Sequence, residues 1–376
     1  MKILIFCIFF LSLISCSFDN KSGIWKNENR KVRKEENPYI DFKKITSINE
    51  SFKEIILYEN DKDLTLSQIK NNENWKDVFF HMSNNYDNFS YTNSNNLIFE
   101  SKRISKTKIN KDILFEEGNV IISDEKGNII IFSLDENKIL RKYNFYKKRF
   151  KNLKKKLNLI VENNIIYVTD NIGFFYAYDY QKNKIIWAKN YKIPFKSNIK
   201  IYDNKILTSN QNNNFYFFNK NNGEVLRLIP TEETLVKNKF INNLSLSQNS
   251  SFFLNTYGSL YSLNNKSMKV NWFLNLNRST NINPNNLFMG NQIITHNNTI
   301  VVTSNDFLYV LDKVNGSTIY KKNFSSNIKP IISNKYLFTL SKNDLLILMD
   351  LEDGKIIYSY DINQKIAEFL KTEKKK

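Results

Sequence analysis

The sequence "GFFYAYDYQKNKIIW" (residues 173–187) combines turn-forming residues with two runs of β-forming residues. Gly173 can adopt the positive φ that a tight hairpin turn requires, and the five residues that follow it are mostly aromatic. Asp179 can accept a hydrogen bond from the backbone two residues further on, and Ile185-Ile186 begins another β-rich run. The stretch therefore predicts antiparallel strands connected by short turns.

This fifteen-residue pattern occurs six times without a gap. The copies are residues 127–141, 173–187, 213–227, 258–272, 306–320 and 344–358, whose first residues are 46, 40, 45, 48 and 38 positions apart. Repeats of about 40–45 residues with four strands each are typical of β-propeller blades, and closing the ring of blades removes exposed sheet edges. The repeat therefore predicts a β-propeller.

The residues shared by the six copies are explained by turn chemistry. Each copy opens with Gly, Asn or Asp, has a short polar residue six positions later, and usually has Gly or Asn four positions after that, with Met268 the exception. Eight positions after the short polar residue stands Arg, Trp or Tyr. The structural turn residues that we expect from this pattern are Gly127, Gly173, Gly258, Asp179, Asp312, Asp350, Gly223, Gly316 and Gly354.

The six copies account for residues 116–361, and the preceding residues 45–115 contain further strand-like runs. These include "FKEIILY" (52–58) and "NWKDVFFHM" (74–82). Seventy residues suffice for one or two additional blades. The sequence thus predicts an all-β protein, a propeller of seven to eight four-stranded blades over residues 45–362, followed by a basic C-terminal tail over 363–376.

The N-terminus has the features of an export signal. Residues 3–15 are uncharged and apolar-rich, and as a helix they would reach about 20 Å, too short for a hydrocarbon core of about 30 Å. "LISC" (13–16) resembles the lipobox of bacterial lipoproteins. We therefore predict a lipoprotein signal peptide over 1–15, lipid attachment at Cys16 and a flexible tether over 16–44. The alternative is an ordinary secretory signal with an incidental cysteine.

The composition argues against several functional classes. Cleavage would leave Cys16 as the sole cysteine, which excludes a disulfide and a cysteine metal cluster. The chain has two histidines and none of the common catalytic motifs. We expect no catalytic residues, no metal, no cofactor and no enzymatic activity.

The formal net charge of +18 requires a separate explanation. The export signal argues against nucleic acid as a partner, and the abundance of Asn, Ile and Lys is consistent with the bias of an AT-rich genome. The densest basic run lies within residues 147–156. We interpret it as a solvated edge, with an anionic lipid or an acidic protein surface as the alternative partner.

The pattern Gly-x5-Asp-x3-Gly-x3-Trp, most complete at 173–187, resembles the repeat of the pyrroloquinoline-quinone-like propellers. Together with the lipobox, it resembles the BamB family of lipoproteins. The resemblance implies an eight-bladed, non-enzymatic scaffold, lipid-anchored to the outer membrane and facing the periplasm. The implied partners are the POTRA domains of a BamA-like barrel-inserting subunit and nascent outer-membrane proteins. The six copies of the repeat in this sequence are fewer than the eight blades that the resemblance implies.

Two loops between repeats are candidates for contacting such a partner, "IPFKSNI" (193–199) and "NKFINNLSL" (238–246). Their candidate residues are Phe195, Lys196, Phe240 and Asn242, and the alternative is that both are ordinary connections. Two other functions also remain open. Surface aromatic residues could bind carbohydrate or peptidoglycan, and a quinone-dependent dehydrogenase would need a Ca²⁺ site built from carboxylate and amide oxygens.

Overall fold

The structure, a computed structural model, describes residues 51–373 except 59–62, 72–73, 92–95, 98, 147, 234–240, 278–287, 289, 305 and 327. It also describes two short strands that pair with each other, β1 (Ser17–Phe18) and β2 (Trp25–Lys26). The chain divides into two compact units, Met1–Asn49 and Glu50–Lys376. The predicted signal peptide, Cys16, most of the tether and Phe240 lie outside the described residues.

Each repeat forms a four-stranded antiparallel sheet, or blade, whose strands follow chain order. Blade 1 comprises β3 (Ile109–Glu116), β4 (Asn119–Asp124), β5 (Asn128–Ser133) and β6 (Lys138–Asn144). Blade 2 comprises β7 (Leu157–Glu162), β8 (Ile165–Asp170), β9 (Phe174–Asp179) and β10 (Lys184–Asn190). Blade 3 comprises β11 (Lys200–Tyr202), β12 (Lys205–Ser209), β13 (Phe215–Asn219) and β14 (Val225–Ile229).

The second half of the ring repeats this arrangement. Blade 4 comprises β15 (Asn243–Leu246), β16 (Ser250–Leu254), β17 (Ser259–Asn264) and β18 (Val270–Asn275). Blade 5 comprises β19 (Ile294–His296), β20 (Thr299–Thr303), β21 (Leu308–Asp312) and β22 (Thr318–Lys322). Blade 6 comprises β23 (Ile331–Ser333), β24 (Tyr336–Leu340), β25 (Leu345–Asp350) and β26 (Ile356–Asp361), and helix α1 (Ile362–Glu373) follows.

The prediction of an all-β propeller with four-stranded blades is confirmed, but the number of blades differs. The described part of the chain forms six four-stranded sheets, not seven or eight. The sequence predicts that residues 45–115 supply the additional blade, but the end of this segment belongs to β3 of blade 1. The described residues between 51 and 91 form no four-stranded sheet. Instead their backbone forms isolated bridges to other sheets, such as Ile56 with Ser359 and Trp75 with Phe115. Hydrogen bonds made in this way are not available for a sheet of their own.

Apolar layers hold consecutive blades together. In β9, Tyr176 and Tyr178 pack toward blade 1, whereas Phe175 and Ala177 pack toward blade 3. Successive strand residues point to opposite faces, so a blade that is covered on both sides needs a nearly continuous apolar strand. This requirement explains the apolar runs in the repeat. Equivalent layers join blades 3 and 4, 4 and 5, and 5 and 6.

The residues expected at turns adopt turn geometry. All six predicted glycines have a positive φ, between 71° and 105°. The carboxylates of Asp312 and Asp350 each accept a hydrogen bond from the backbone N–H two residues further on. The Asp179 carboxylate accepts one from the backbone N–H of Lys182, three residues further on. The N–O distances are 2.8–2.9 Å. These bonds satisfy backbone donors that the strands leave unpaired where the chain reverses.

The aromatic residue that ends a repeat reaches into the next blade. The Trp187 indole N–H donates to the Lys220 carbonyl at 2.9 Å, and its ring lies against Gly223. A Cβ atom at Gly223 would lie 2.5 Å from that ring. Trp272 contacts Gly316 in the same way, and Tyr320 contacts Gly354. The glycine therefore provides both the positive φ of the turn and the space for the neighbouring aromatic ring.

Candidate functional site

The first strand of each blade lies nearest the axis of the ring. This is shown by contacts between first strands of neighbouring blades, β3 with β7, β11 with β15, and β15 with β19. A propeller has a central channel at this position, which makes it the first place to look for a ligand site. Here residues 74–88, which we call the axial segment, run along the first strands.

Backbone hydrogen bonds join the axial segment to four blades. Trp75 exchanges two bonds with Phe115 of blade 1, at 2.7 and 2.9 Å. In blade 2, the Val161 N–H donates to the Lys76 carbonyl. In blades 4 and 5, the Leu246 N–H donates to the Met82 carbonyl and the Thr295 N–H donates to the Ser83 carbonyl. These three distances are 2.8–3.1 Å. The segment therefore satisfies backbone donors of first strands that would otherwise face the channel.

Two asparagine side chains extend these contacts. Asn84 is 1% exposed, and its Nδ2 donates to the Leu244 carbonyl at 2.9 Å and to the Ile293 carbonyl at 2.8 Å. Asn85 makes a reciprocal pair with the backbone of Ile332 in blade 6, at 2.8 and 3.0 Å. An amide side chain can donate and accept at once, so it can substitute for a strand partner.

A buried ion pair joins the axial segment to blade 3. The Lys200 ammonium lies 2.7 Å from the Asp77 carboxylate and donates to the His81 carbonyl at 2.8 Å. The Lys200 side chain is 1% exposed. Burial lowers the pKa of Lys200, and the Asp77 carboxylate opposes that shift. With this pair, the axial segment contacts all six blades.

A second lysine lies over the same segment. The Lys329 ammonium donates to the Asn84 carbonyl and lies 3.5 Å from the centre of the Tyr86 ring. Burial, followed by the positive charge of Lys200, lowers the pKa of Lys329 to about 7. Trp75, Phe80 and Tyr86 form an aromatic cluster beside it, with ring centres 4.8–6.1 Å apart. The axial segment, which contacts all six blades, thus carries this cluster and the buried ion pair.

Two of the three described loop residues predicted to contact a partner, Phe195 and Asn242, lie inside the fold. Phe195 is 3% exposed and packs against Phe175 and Phe218. Asn242 is 1% exposed, and its Nδ2 donates to the Ser209 hydroxyl at 3.0 Å. Lys196 is partly exposed, and burial followed by the charge of a nearby lysine lowers its pKa to about 8. Packing between blades therefore explains Phe195 and Asn242.

Exposed apolar side chains lie instead on the fourth strands. Val225, Leu226 and Leu228 of β14 are each 42–43% exposed, and Phe273 of β18, in the next blade, is 54% exposed. Fourth strands form the outer edge of each blade, so these side chains face solvent. Exposed apolar surface of this kind is a candidate for protein contact. The repeat includes Val225 and Leu226, but an apolar pattern alone does not distinguish an exposed outer strand from a buried one.

The described residues contain neither a metal-binding cluster nor a membrane-spanning helix. In that part of the chain, no group of three or more His, Cys, Asp or Glu side chains is arranged to hold a metal ion. Over the same residues, no helix has the length and apolar character needed to cross a membrane. Burial lowers the pKa of both histidines, His81 and His296, which favours their neutral forms.

Comparison with known proteins identifies the family. A family model described as outer membrane protein assembly factor BamB matches residues 147–360, more than half of the chain. The fold is similar to that of BamB from Moraxella catarrhalis, with 12% identity, a TM-score of 0.54, and coverage of 68% of this chain and 75% of that chain. A computationally designed protein, Ika8, gives a TM-score of 0.44 at 10% identity, covering 69% of this chain and 89% of its own. No curated protein sequence matches. The chain belongs to the BamB family of outer membrane protein assembly factors.

Proposed function

We propose that this protein is a non-enzymatic scaffold of the machinery that inserts β-barrel proteins into the bacterial outer membrane. The observation that carries the proposal is the BamB family match over residues 147–360, which includes blades 2 to 6. Because propellers support many unrelated functions, the family match weighs more than the fold.

The position of the axial segment supports a role at the outer surface. Residues 74–88 hydrogen-bond to the first strands of the blades, which lie nearest the axis. A ligand entering the channel would have to displace these contacts. The outer strands and connecting turns, in contrast, are accessible, and β14 and β18 carry exposed apolar side chains. Large partners are therefore expected to bind the outside of the ring.

The proposed location follows from the N-terminal sequence. Lipid attached at Cys16 would hold the protein on the periplasmic face of the outer membrane. The predicted tether over residues 16–44 would connect the lipid at Cys16 to the propeller. The proposed partners are the POTRA domains of a BamA-like subunit and nascent outer-membrane proteins.

Depletion of the protein in its host tests this function. We expect folded β-barrel proteins in the outer membrane to decrease, and the full-length protein to restore them. A Cys16→Ser variant, which cannot receive the lipid, is expected to restore them poorly at equal protein level. Barrel-protein levels that stay unchanged on depletion, measured by heat-modifiable electrophoretic mobility, would contradict the proposal.

A further inference from the structure

A basic pocket lies where the chain passes from blade 1 to blade 2. It has a volume of about 230 Å³ and is open to solvent. Its lining consists of four lysines with an asparagine and a tyrosine, namely Lys126, Lys148, Lys151, Lys155, Asn144 and Tyr146. Three of the lysines belong to the densest basic run of the sequence, within residues 147–156. The fold adds Lys126, from the β4–β5 turn of blade 1.

The tyrosine in this pocket is held in a fixed position. The Tyr146 hydroxyl donates to the Asp170 carboxylate of blade 2 at 2.5 Å, and its backbone N–H donates to the Asn144 side chain at 2.9 Å. The ring lies against Gly127, where a Cβ atom would be only 2.4 Å away. The pocket therefore has a preorganised wall, which reduces the entropy cost of binding.

Lys155 differs from the other three lysines because it is buried. Its side chain is among the largest fully buried ones, and its ammonium donates to the Phe150 carbonyl. Burial lowers the pKa of Lys155, and the Asp124 and Asp170 carboxylates oppose that shift. Its ammonium thus already has an acceptor and two nearby carboxylates within the fold.

The charges of Lys126, Lys148 and Lys151 are not balanced in this way. Over the described residues, no carboxylate lies within ion-pair distance of these three ammonium groups. The ion pair closest to these lysines along the chain joins Lys154 to Glu125, with an N–O distance of 3.5 Å.

The carboxylates closest to the pocket already accept hydrogen bonds. Asp124 accepts from the Thr107 hydroxyl at 2.6 Å and from the Asn128 side chain at 2.7 Å, and Asp170 accepts from Tyr146 and three backbone N–H groups. These bonds hold both carboxylates in place, and among the described ion pairs neither carboxylate is joined to Lys126, Lys148 or Lys151.

We propose that this pocket binds a phosphate group, which Lys126, Lys148 and Lys151 contact as ammonium donors. Lysine binds phosphate as a compact point charge, and hydrogen bonds between charged groups are the stronger kind. The volume is below that of pockets for drug-sized ligands, so it suits one small anionic group. The phosphate could come from a phospholipid headgroup or from a soluble phosphate ester. This inference is independent of the proposed partner.

Titration calorimetry with the full chain in mild detergent tests the proposal. The soluble probe is glycerol 3-phosphate, the lipid probe is dihexanoyl phosphatidylglycerol below its micelle concentration, and dihexanoylglycerol, which lacks phosphate, is the blank. The test variant is Lys148→Ala/Lys151→Ala. The control is Lys266→Ala/Lys269→Ala, which removes two exposed lysines from a turn of blade 4.

We expect a phosphate-bearing probe to bind, the blank to fail, and the pocket variant to bind about tenfold or more weakly while the control binds like the wild type. Binding of both phosphate probes would indicate that the phosphate alone is recognised, and binding of the lipid alone would indicate a headgroup site. Failure of both probes, or equal weakening in the two double variants, would overturn the proposal. Matching thermal unfolding of the variants verifies that both fold.

Discussion

At each junction between blades, the residue that ends one repeat is related to the residue at a turn of the next blade. Trp187, Trp272 and Tyr320 end their repeats, and the turn that each contacts in the next blade has glycine. Arg141 and Arg227 end two of the other three repeats, and the next blade then has Asn183 and Met268 at the same turn; Tyr358 ends the sixth repeat, which no further repeat follows. Glycine is thus required where an aromatic ring occupies the space, whereas larger residues are found where none does.

Replacement of Gly316 by alanine tests this explanation. The new Cβ atom would lie 2.6 Å from the Trp272 ring at a φ of +77°, and we expect the free energy of unfolding to fall by about 2–4 kcal/mol. Gly118→Ala is the matched control. Gly118 has a φ of +76°, but its Cβ would meet only the end of the Asp135 side chain, at 3.1 Å.

The control is therefore expected to lose only about 1 kcal/mol, the cost of the positive φ. Urea unfolding of both variants measures the difference. Equal losses would show that backbone conformation, and not contact with the neighbouring ring, accounts for the glycine.

The buried ion pair between Lys200 and Asp77 makes a second prediction at the scale of residues. Asp77→Asn keeps the acceptor for the Phe79 N–H but leaves a buried ammonium without its counter-charge, so the free energy of unfolding should fall by about 3–5 kcal/mol. The double variant Asp77→Asn/Lys200→Met removes both charges and should recover much of that loss. A double variant no more stable than Asp77→Asn would argue against charge burial as the cause.

The lowered pKa of Lys329 leads us to predict that the stability of the fold depends on pH. Its pKa is about 7 in the fold, lowered by burial and by Lys200, against an ordinary value of 10.5 when unfolded. The groups facing it are the Asn84 carbonyl, the rings of Phe79 and Tyr86, Lys200 and, with opposite effect, Asp77. Above pH 7 the unfolded chain retains more protons than the folded one, so this residue makes stability rise with pH.

We expect this contribution to reach at most about 1.4 kcal/mol per pH unit between pH 7 and 9, below the range in which tyrosines titrate. Urea unfolding of the wild type and of Lys329→Met over this range isolates it. The slope of the variant should be smaller by the contribution of Lys329, while that of Lys196, whose pKa is lowered to about 8, remains. Identical slopes for the two proteins would show that Lys329 is protonated in the fold throughout.

The axial segment is the element that the sequence predicted least well. Its run "NWKDVFFHM" (74–82) has the apolar content of a strand, and we expected it to belong to an additional blade. In the structure its backbone bonds to blades 1, 2, 4 and 5, and Asn84 and Asp77 contact blades 3 to 5. Composition indicates that a run is buried and extended, but it does not indicate which strand the run pairs with.

The blade strands, in contrast, follow closely from the sequence. Each blade is built by neighbouring segments, so the partner of every strand is the next one along the chain. The turns that set this order were readable from Gly173, Asp179 and their equivalents. The buried contacts of Phe195 and Asn242 were not, because both residues lie in connections that the fifteen-residue pattern does not cover.

Asn84→Ala tests the role of the axial segment. The change removes hydrogen bonds to the Leu244 carbonyl in blade 4 and to the Ile293 carbonyl just before blade 5. Because both buried carbonyls lose this donor, we expect the free energy of unfolding to fall by about 2–3 kcal/mol. Hydrogen exchange should increase in β15 and β19. Asn88→Ala is the control, since Asn88 Nδ2 donates to Ser67 outside the blades. Exchange that increases equally in both variants would contradict a bracing role.

The whole molecule is strongly basic, with 55 Lys and Arg against 37 Asp and Glu. Several of the described lysines lie on fourth strands and turns, such as Lys138, Lys184 and Lys266, where genome bias suffices to explain them. The lysine pocket between blades 1 and 2 is a more specific arrangement, because the chain path brings Lys126 to the basic run. Charge count alone could not distinguish these two cases.

Site-specific photo-crosslinking in the host envelope tests the scaffold role most directly. A photoreactive residue would replace exposed Leu226 or Phe273 in the full-length protein, and buried Phe217 would serve as the matched negative position. Crosslinked products would be identified by mass spectrometry. We predict that an exposed position captures the barrel-inserting subunit, whereas Phe217 captures nothing outside the chain. Capture of only unrelated envelope proteins, in cells where that subunit is abundant, would contradict the scaffold role.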